Sequence, residues 1–553
     1  MYGSAAVIKS RKLFAVIGLA LCFVCALKAK ETAKQIAVPL PPMGWSSWNS
    51  FSNTVDSEVV MSQAKAMVST GMSKAGYRYI NIDEGWWLGE RDPAGNFVVD
   101  AKAWPALTPG EHAGDMANIV RYIHGLGLKA GIYSDAGGDG CSTVGPDLGP
   151  SYPHTGSEGH YEQDFLQFAK WGFDYVKVDW CGGVKENLDP AIQYAEIARA
   201  IARAEIITGH RLYYSICNWG KDSPWTWAPG IGRVTADIWR TGGDIVAPIV
   251  AGTKNGDRKA EFKEVLREFD QARHPEAQHT GFYNDPDMMV VGMQGLTEEQ
   301  GRAHMSLWAI LGGPLLVGAD LTKLSDADIA TLTNSDVLAI DQDALGLQAL
   351  KVSESGPGLE VWSKPLSTPG RRAVLLLNRT ASAAQVAVKW TDLGLRDSEP
   401  ATVKDVWAKR DFAPMASSYS ATVPAGDIVL LLIRGSEGKF TSYKPASGEK
   451  QAGGGPDTSI LRSQPVIFKG VSSRSGFARI RIAYINPDSS PRFAALRVNG
   501  QVATRISFPP AGNTGAAGTV SVEALLDQPG AGNVLTFSAI YDPGPMIESI
   551  SVQ

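Results

Sequence analysis

The run from Tyr175 to Gly183, Tyr-Val-Lys-Val-Asp-Trp-Cys-Gly-Gly, places a lysine and an aspartate at the end of a short apolar stretch. Its first six residues predict a buried strand, and the two glycines predict a turn after it. Because side chains alternate along a strand, Lys177 and Asp179 are expected on the same side. An ammonium group nearby lowers the pKa of an acid and keeps it ionised, as a nucleophile requires. The alternative is a surface ion pair at a strand end.

Acidic residues recur at the ends of other predicted strands. They are Asp83 with Glu84, Asp135, Asp179, Asp244, and Asp285 with Asp287. Aromatic residues lie among them: Trp45, Trp48, Trp86, Trp87, Tyr133, Trp180 and Trp219. Acids at five of eight strand ends are more than a purely structural role requires. Carboxylates accept hydrogen bonds from sugar hydroxyls, and aromatic rings stack on the CH face of a pyranose, so the pattern indicates a sugar site.

Glycoside hydrolysis needs two carboxyl groups, one on each side of the anomeric carbon. In a retaining enzyme they stand about 5 Å apart, one as the nucleophile and the other as acid and then base. We assign Asp179 as the nucleophile and Asp244 as the acid/base. Arg240, four residues before Asp244, is placed to orient a sugar or a carboxylate. The alternative role for Asp244 is a helix N-cap after two glycines.

Other classes of site and protein fit the sequence less well. A divalent-metal site would also collect acids, but no His-x-His sequence stands at a strand end. Mg²⁺ held by acids alone stays open, although we expect neither a metal nor another cofactor. A phosphate site is not predicted, because Gly312-Gly313-Pro314 leads into a strand. The rival class is a non-catalytic carbohydrate-binding protein, which would lack one of the two acids or the lysine.

A (β/α)8 barrel is the fold that brings such strand ends together. From residue 39 to about 345, eight short apolar strands alternate with helical stretches. The strand candidates are Met43–Trp48, Tyr77–Asp83, Lys129–Ser134, Tyr175–Trp180, Leu212–Cys217, Ala236–Trp239, Gly281–Asn284 and Pro314–Gly318. Asp56 predicts a helix N-cap, and Thr297 with Gln300 predicts a capping box. A doubly wound sheet is not favoured, because no glycine-rich phosphate loop follows the first strand.

The rest of the chain predicts two β domains. Residues 346–434 contain short strands separated by turns and predict a small antiparallel β-sandwich. Residues 435–457 are rich in Gly, Ser and Lys and predict a linker. Residues 458–553 alternate again and contain the hairpin signal Asn499-Gly500, which predicts a jelly-roll-like domain. That domain is either a carbohydrate-binding module or a stabilising one.

The N-terminus predicts export. Three basic residues precede an apolar run of about fifteen residues, which is typical of a signal peptide, here residues 1–29. A retained anchor is the alternative; after signal removal we expect no membrane contact, in a secreted or periplasmic protein. Cys141 and Cys181 follow neighbouring strands, so an exported protein could pair them. A net charge of −5 and no basic run give no basis for binding nucleic acid.

These motifs resemble glycoside hydrolase family 27, the α-galactosidase or melibiase group. The matching runs begin at Pro42, Tyr79, Gly131, Gly159, Lys177, Trp239 and Asn284, and the stretch 307–321 completes them. The resemblance implies a retaining exo-enzyme acting on terminal galactose-like sugars, with partners that are galactose- or arabinopyranose-containing saccharides. It implies a disulfide between Cys141 and Cys181 near the site. The residues expected to line the sugar are Trp45, Asp83, Glu84, Tyr133, Lys177, Cys181, Asn218, Arg240 and Asp287.

The chain departs from the family pattern at three places. Many relatives have Asp-Asp-Cys where this chain has Asp83-Glu84-Gly85, so the second acid is one methylene longer. That position holds the sugar near O4 and O6, and a longer acid would fill the room of a hydroxymethyl group. β-L-Arabinopyranose lacks that group, which makes β-L-arabinopyranosidase the alternative activity to α-galactosidase. Asn218 replaces a glutamate near O2, and the loop from Cys141 to His160 is long enough to narrow the site.

Overall fold

The computed structural model describes most of the chain. The described residues are 39–143, 153–229, 236–246, 259–446, 464–472, 476–511, 517–527, 530, 532–540 and 544–553. The predicted signal peptide, residues 1–29, lies outside them, as do residues 144–152 of the long loop after Cys141. Among the described residues, no helix combines the length and the apolar character that crossing a bilayer would require.

Eight parallel strands form the first sheet. They are β1 Met43–Ser46, β2 Tyr79–Asn81, β3 Lys129–Asp135, β4 Tyr175–Asp179, β5 Tyr213–Cys217, β6 Ile238–Arg240, β7 Tyr283–Asp285 and β8 Leu315–Val317. From β1 to β7 each strand pairs with the next along the chain, and β8 pairs back onto β1. Met289, just after β7, forms a parallel bridge to Val317 and joins the last two strands. The predicted (β/α)8 barrel is confirmed.

In the described part of the chain, twelve α-helices accompany these strands. They are α1 Trp48–Phe51, α2 Ser57–Ser69, α3 Met72–Ala75, α4 Ala117–Gly125, α5 Tyr161–Trp171, α6 Cys181–Lys185, α7 Pro190–Thr208, α8 Pro224–Trp227, α9 Phe262–Gln271, α10 Glu298–Leu311, α11 Asp326–Leu332 and α12 Ser335–Asp341. Both predicted helix starts are confirmed. Asp56 accepts a hydrogen bond from the Val59 amide, and Thr297 and Gln300 form the reciprocal capping box.

Two antiparallel sheets make the second domain. Its strands are β9 Leu350–Glu354, β10 Leu359–Pro365, β11 Arg371–Asn378, β12 Ala384–Lys389, β13 Ala401–Asp405, β14 Arg410–Met415, β15 Ser418–Val423 and β16 Ile428–Arg434. Six of them form one sheet, and β12 pairs with β15 in the other. Val374, Val386 and Leu431 belong to the buried apolar layer between the sheets. The antiparallel sandwich expected here is confirmed.

Two four-stranded sheets build the last domain. Its strands are β17 Thr441–Tyr443, β18 Val466–Val471, β19 Phe477–Ile485, β20 Arg492–Val498, β21 Gln501–Phe508, β22 Gly518–Leu525, β23 Asn533–Ala539 and β24 Met546–Val552. The predicted hairpin joins β20 to β21, with Asn499 and Gly500 at φ 49° and 89°. Positive φ at both positions is the geometry that a tight two-residue hairpin turn requires.

The predicted linker 435–457 is wrong over its first part. Thr441–Tyr443 is a strand of the last domain, paired with β24. Glu437 accepts from Arg372 of the sandwich at 3.2 Å and from Arg481 of the last domain at 2.6 Å. The composition suggested flexibility, but these contacts fix the segment between two domains. Residues 447–457 lie outside the described part of the chain.

Candidate active site

Asp179 is the last residue of β4 and lies at the carboxyl end of the barrel, where barrel enzymes hold their active sites. Its side chain is only 6% exposed. Lys177 Nζ stands 3.5 Å from one carboxylate oxygen, and the Trp180 amide donates to the other at 3.0 Å. The alternation that placed both side chains on one face is thus observed, and the alternative of a surface ion pair does not apply.

Burial sets the pKa of Asp179 more strongly than the lysine does. Removal from water raises the pKa to about 6, Lys177 opposes the rise, and the charge of Asp244 adds to it. The lysine does lower the pKa of Asp179, as expected. The expectation of a net decrease is wrong, because burial has the larger effect. A pKa of about 6 still leaves the carboxyl mainly ionised at neutral pH.

Lys177 also binds the acid that follows β2, two strands away in the sheet. Its Nζ is 2.9 Å from Asp83 Oδ2, which also accepts from the Ser46 hydroxyl at 3.3 Å. The Tyr133 ring lies on another side of the ammonium group, with its centroid 5.4 Å from Nζ. One lysine therefore links residues from β1, β2, β3 and β4 into a single charged cluster. Asp83, Tyr133 and Lys177, three of the predicted sugar-lining residues, are brought together here.

Asp244 follows β6 after a Gly-Gly turn, and its side chain is 45% exposed. Arg240, at the end of β6, is buried and donates to Asp244 Oδ1 at 3.2 Å. The other guanidinium nitrogen lies 2.9 Å from Asp287 Oδ1. Asp244 caps no helix of the described chain, because Ile245 and Val246, which follow it, are not helical. The helix-cap alternative for Asp244 therefore has no support among the described residues.

Asp287 is held in place from several sides. Its backbone φ is 80°, a conformation that non-glycine residues rarely adopt and that recurs at active sites. Its backbone amide donates to Asp285 Oδ1 at 2.9 Å, and this hydrogen bond fixes the main chain at Asp287. Its second carboxylate oxygen accepts from the Ile245 amide at 2.7 Å, next to Asp244. Asp287 thus ties the end of β7 to the segment that carries the proposed acid/base.

The disulfide between Cys141 and Cys181 is present in the structure. Asp135, at the end of β3, accepts from the amides of Cys181 at 2.7 Å and Gly182 at 3.1 Å, so it holds the turn after Asp179. Cys181 is buried, and its sulfur is bonded to Cys141. Because its sulfur is bonded to Cys141, neither cysteine offers a thiolate to a metal ion in the cluster that they form with Asp135 and Asp179.

Glu84 lies beneath the disulfide loop. It is almost fully buried, and both of its carboxylate oxygens accept from the Ser142 amide, at 3.0 and 2.9 Å. Burial raises its pKa to about 7. A Cβ added to Gly140 would stand 2.3 Å from Glu84 Oε1, so the loop packs tightly on this carboxylate. The longer side chain at this position is therefore accommodated by a glycine.

Asn218 follows β5 and is fully buried. Its Nδ2 donates to the Lys221 carbonyl at 2.6 Å, while its Oδ1 has no hydrogen-bond partner. A buried acceptor without a partner carries a desolvation cost, which a ligand hydroxyl could relieve. Nearby, Cys217 is a buried free thiol that receives a 3.6 Å contact from Arg240.

Several tryptophans have structural roles that the sequence did not reveal. Trp86 and Trp87 pack with Phe97 and with other rings in an aromatic cluster beside the barrel. Trp180 is fully buried against Tyr194. Trp45 has no exposed surface either, and its Nε1 donates to the Ala319 carbonyl at 3.0 Å. Fewer aromatic residues therefore line the mouth of the barrel than the sequence suggested.

Two residues of α9 that the sequence did not single out support the Asp244 segment. Arg267 donates to the Asp244 carbonyl oxygen at 2.9 Å, and its Nη1 lies 2.7 Å from Glu268 Oε1. Glu268 is fully buried, and its Oε2 lies 2.2 Å from the place that a Cβ on Gly242 would occupy. Burial raises the pKa of Glu268 to about 8. No sequence signal distinguished this pair from an ordinary helix surface.

Comparison with known families agrees with this geometry. A family described as "Alpha galactosidase A" matches residues 40–343, which is more than half of the chain. This protein belongs to that family. An "Alpha galactosidase C-terminal beta sandwich domain" matches residues 356–433, and an "Alpha-galactosidase, CBM13 domain" matches residues 466–552.

Relatives extend over the barrel and the sandwich. The chain is 39% identical over 388 residues to alpha-galactosidase A of Cellvibrio japonicus, covering 70% of this chain and 88% of the relative. It is 36% identical over 384 residues to an alpha-galactosidase of Oryza sativa, covering 69% and 82%. The structure of alpha-galactosidase I from Mortierella vinacea superposes with a TM-score of 0.61 at 28% identity, over 73% and 99%. A β-L-arabinopyranosidase from Geobacillus stearothermophilus, at 22% identity and a TM-score of 0.60 over 74% and 98%, shares the fold.

Proposed function

We propose that this protein hydrolyses terminal α-D-galactosides with retention of configuration. The observation that carries the proposal is the pair of strand-end acids, Asp179 and Asp244, each held by its own cation in a family of alpha-galactosidases. The relatives from Cellvibrio japonicus and Oryza sativa carry that activity in their names. The same pair argues against the non-catalytic rival, because Lys177 and both acids are present and in contact with their partners.

The proposed reaction has two displacements. Asp179 attacks the anomeric carbon while Asp244 donates its proton to the leaving glycosidic oxygen, so the aglycone departs as a neutral alcohol. Asp244 then removes a proton from water, and that water attacks the same carbon and releases Asp179 as a carboxylate. Two inversions give net retention. The fixed carboxylate suits the nucleophile, and the exposed carboxyl of Asp244 can exchange protons with solvent.

The charged neighbours have separate roles in this scheme. We propose that Asp83, Tyr133 and Lys177 bind sugar hydroxyls on the β2–β4 side, where the lysine already joins the other two. On the opposite side, Arg240 and Asp287 form one ion pair next to the acid/base segment. The buried Trp45 is assigned to the wall of the sugar site, behind the residues that contact the sugar. Asn218 is assigned to offer its unpartnered Oδ1 to a hydroxyl group of the sugar. Cys181 supports the site through its disulfide.

A second activity, on β-L-arabinopyranosides, is favoured by Glu84. The buried, tightly packed carboxylate of Glu84 is one methylene longer than the aspartate of many relatives, and it leaves less room for a hydroxymethyl group. One methylene in a pocket is worth about 1–3 kcal/mol of discrimination. We therefore propose that the enzyme cleaves both sugars and that the galactoside is the preferred substrate.

Rates on the two nitrophenyl glycosides, for native enzyme and for Glu84→Asp, test both proposals. The shorter acid enlarges the pocket, so kcat/KM for the galactoside relative to the arabinoside should rise about tenfold. Glu90→Asp, an exposed glutamate nearby, is the matched control and should leave the ratio unchanged. A native enzyme that prefers the arabinoside by tenfold would reverse the order of the two activities. If the native enzyme cleaved neither glycoside, both proposed activities would be contradicted.

We further propose that the protein works outside the cytoplasm, secreted or in the periplasm, on galactose-containing oligo- or polysaccharides. A disulfide beside the active site is stable in an oxidising compartment and is rare in the cytosol. The basic and apolar character of residues 1–29 supports the same location. A reducing agent should lower activity in native enzyme, and a fractionation assay should find the mature chain outside the cytoplasm.

A further inference from the structure

The loop between β5 and α8, which carries Asn218, has unusual backbone geometry. Trp219, Asp222 and Ser223 have φ angles of 53°, 56° and 53°. Side chains other than glycine rarely adopt such angles, and they persist only where surrounding contacts fix them. The loop therefore needs an anchor outside itself.

Part of the anchoring is local. Trp227 Nε1 donates to the Asp222 carbonyl at 2.9 Å, and Asn218 donates to the Lys221 carbonyl. The loop also packs against the segment of the proposed acid/base, because a Cβ on Gly220 would stand 2.3 Å from the Thr241 carbonyl oxygen. A shift of the loop would thus displace Asn218 and press on the residues that lead to Asp244.

The rest of the anchoring comes from the last domain. Arg505, on β21, donates through its two terminal guanidinium nitrogens to the carbonyls of Trp225 at 3.1 Å and Thr226 at 2.7 Å. These carbonyls belong to the second and third residues of the four-residue helix α8, and the last four carbonyls of any helix lack helical partners. A cation is also favourable at the carboxyl end of a helix. Arg505 therefore fixes the helix that ends the strained loop.

The main chain around Arg505 is docked on the barrel as well. β21 is the edge strand of its sheet, and its outward amides are covered rather than left open. The Arg505 amide donates to the Glu276 carbonyl at 3.0 Å, and the Ser507 amide donates to His279 Nδ1 at 3.2 Å. Trp225 completes the joint by stacking on His274, with centroids 3.7 Å apart. The guanidinium is thus held at a defined position.

The described aromatic residues of β18, β19, β21 and β23 that are named next form no exposed sugar platform. Phe468, Tyr484, Phe508 and Phe537 are all buried inside the sandwich. Phe493 packs against Phe282 of the barrel. Beyond its pairing with β20, β21 contacts the barrel through Arg505 and Ser507.

We propose that the C-terminal domain positions the β5–α8 loop of the active site and that Arg505 is the positioning residue. This inference rests on the proposed glycosidase function. Arg505 does not touch the sugar; it holds α8, the loop before it, and through them the Asn218 side chain. Without Arg505 the strained loop relaxes and the Asn218 Oδ1 leaves its place, so the enzyme loses one contact to the bound sugar.

A double-mutant cycle with Arg505→Ala and Asn218→Ala tests the inference on the full chain. Arg505→Ala should raise KM for the nitrophenyl galactoside about threefold to tenfold, the effect of one hydrogen bond, with little change in kcat. In the Asn218→Ala background the same change should alter KM by less than about twofold, because the contact is already gone. Arg505→Lys, which can reach one carbonyl, should restore part of the loss.

Controls separate this effect from a loss of stability. Arg497→Ala removes an arginine that bonds to Gly500 within its own hairpin and should behave as native enzyme. All assays are run well below the unfolding temperature of each variant; if Arg505→Ala does not fold, Arg505→Gln replaces it. Native KM in Arg505→Ala, or equal fold-losses in both backgrounds, would overturn the inference. An inactive native enzyme would instead contradict the proposed function.

Discussion

The two proposed catalytic carboxyl groups have contrasting surroundings. Asp179 ends a strand, is 6% exposed and has both oxygens engaged, by Lys177 and by a backbone amide. Asp244 lies beyond a strand on a Gly-Gly turn, is 45% exposed and contacts the Arg240 guanidinium at 3.2 Å. A nucleophile needs a fixed, ionised oxygen, whereas an acid/base must exchange protons with solvent. The difference in burial supports the two proposed roles, and the sequence could not show it.

The two groups also differ in what supports their backbone. Asp179 belongs to the central sheet, and Asp135 holds the turn that follows it. The Asp244 segment depends on Arg267 and Glu268 of α9 and on Asp287 after β7. Substitutions near Asp179 should therefore change its charge state, and substitutions near Asp244 should change the segment's position and stability.

Asp244→Asn should have the largest effect on the acid/base side of the comparison. Loss of a general acid and base lowers rates by about 10²- to 10⁴-fold. The loss should be greatest for a substrate with a sugar leaving group, because nitrophenolate departs without protonation. Steady-state rates on both substrate types measure the difference. Equal losses on both would show that Asp244 does not protonate the leaving group.

Lys177→Met tests how the lysine controls the charge of the proposed nucleophile, Asp179. Lys177 opposes the effect of burial on Asp179, so its removal should raise the pKa of Asp179 above about 6. The acid limb of kcat/KM, which reports the free enzyme, should then move up by about one pH unit or more. Lys185→Met, an exposed lysine on α6, is the control. An unshifted acid limb would mean that Asp179 does not set it.

Glu268→Gln should have the smallest effect on rate and a visible effect on stability. Burial raises the pKa of Glu268 from 4.5 to about 8, so the folded protein binds this proton more tightly than the unfolded chain. Its contribution to stability is therefore full below pH 4.5 and falls by about 1.4 kcal/mol per pH unit as the pH rises toward 8.

Denaturant unfolding of both proteins at pH 5 and pH 8 measures this contribution. The native protein should lose more stability between the two values than Glu268→Gln does, because glutamine does not titrate. Other buried acids titrate equally in both proteins and cancel. The same loss in both would show that Glu268 is not protonated in the folded state.

The sequence located the barrel and the acids because both follow from strand periodicity. Strand alternation placed Lys177 beside Asp179, and the glycines marked the turn. Burial was not visible in that pattern, so the sign of the net pKa change of Asp179 was wrong. Residues 435–446 looked like a linker by composition, yet long-range pairing with β24 fixes them. Arg505 was not identified because its partners lie far away in sequence, on α8.

The central claim is that Asp179 becomes bonded to the sugar, and mass spectrometry of a trapped intermediate tests it most directly. 5-Fluoro-α-D-galactosyl fluoride has a good leaving group, and its ring fluorine slows release of the enzyme-bound sugar. Digestion of the treated protein should give one labelled peptide containing Asp179, and Asp179→Asn should give none. A label on another residue, or turnover without any labelled species, would contradict the assignment.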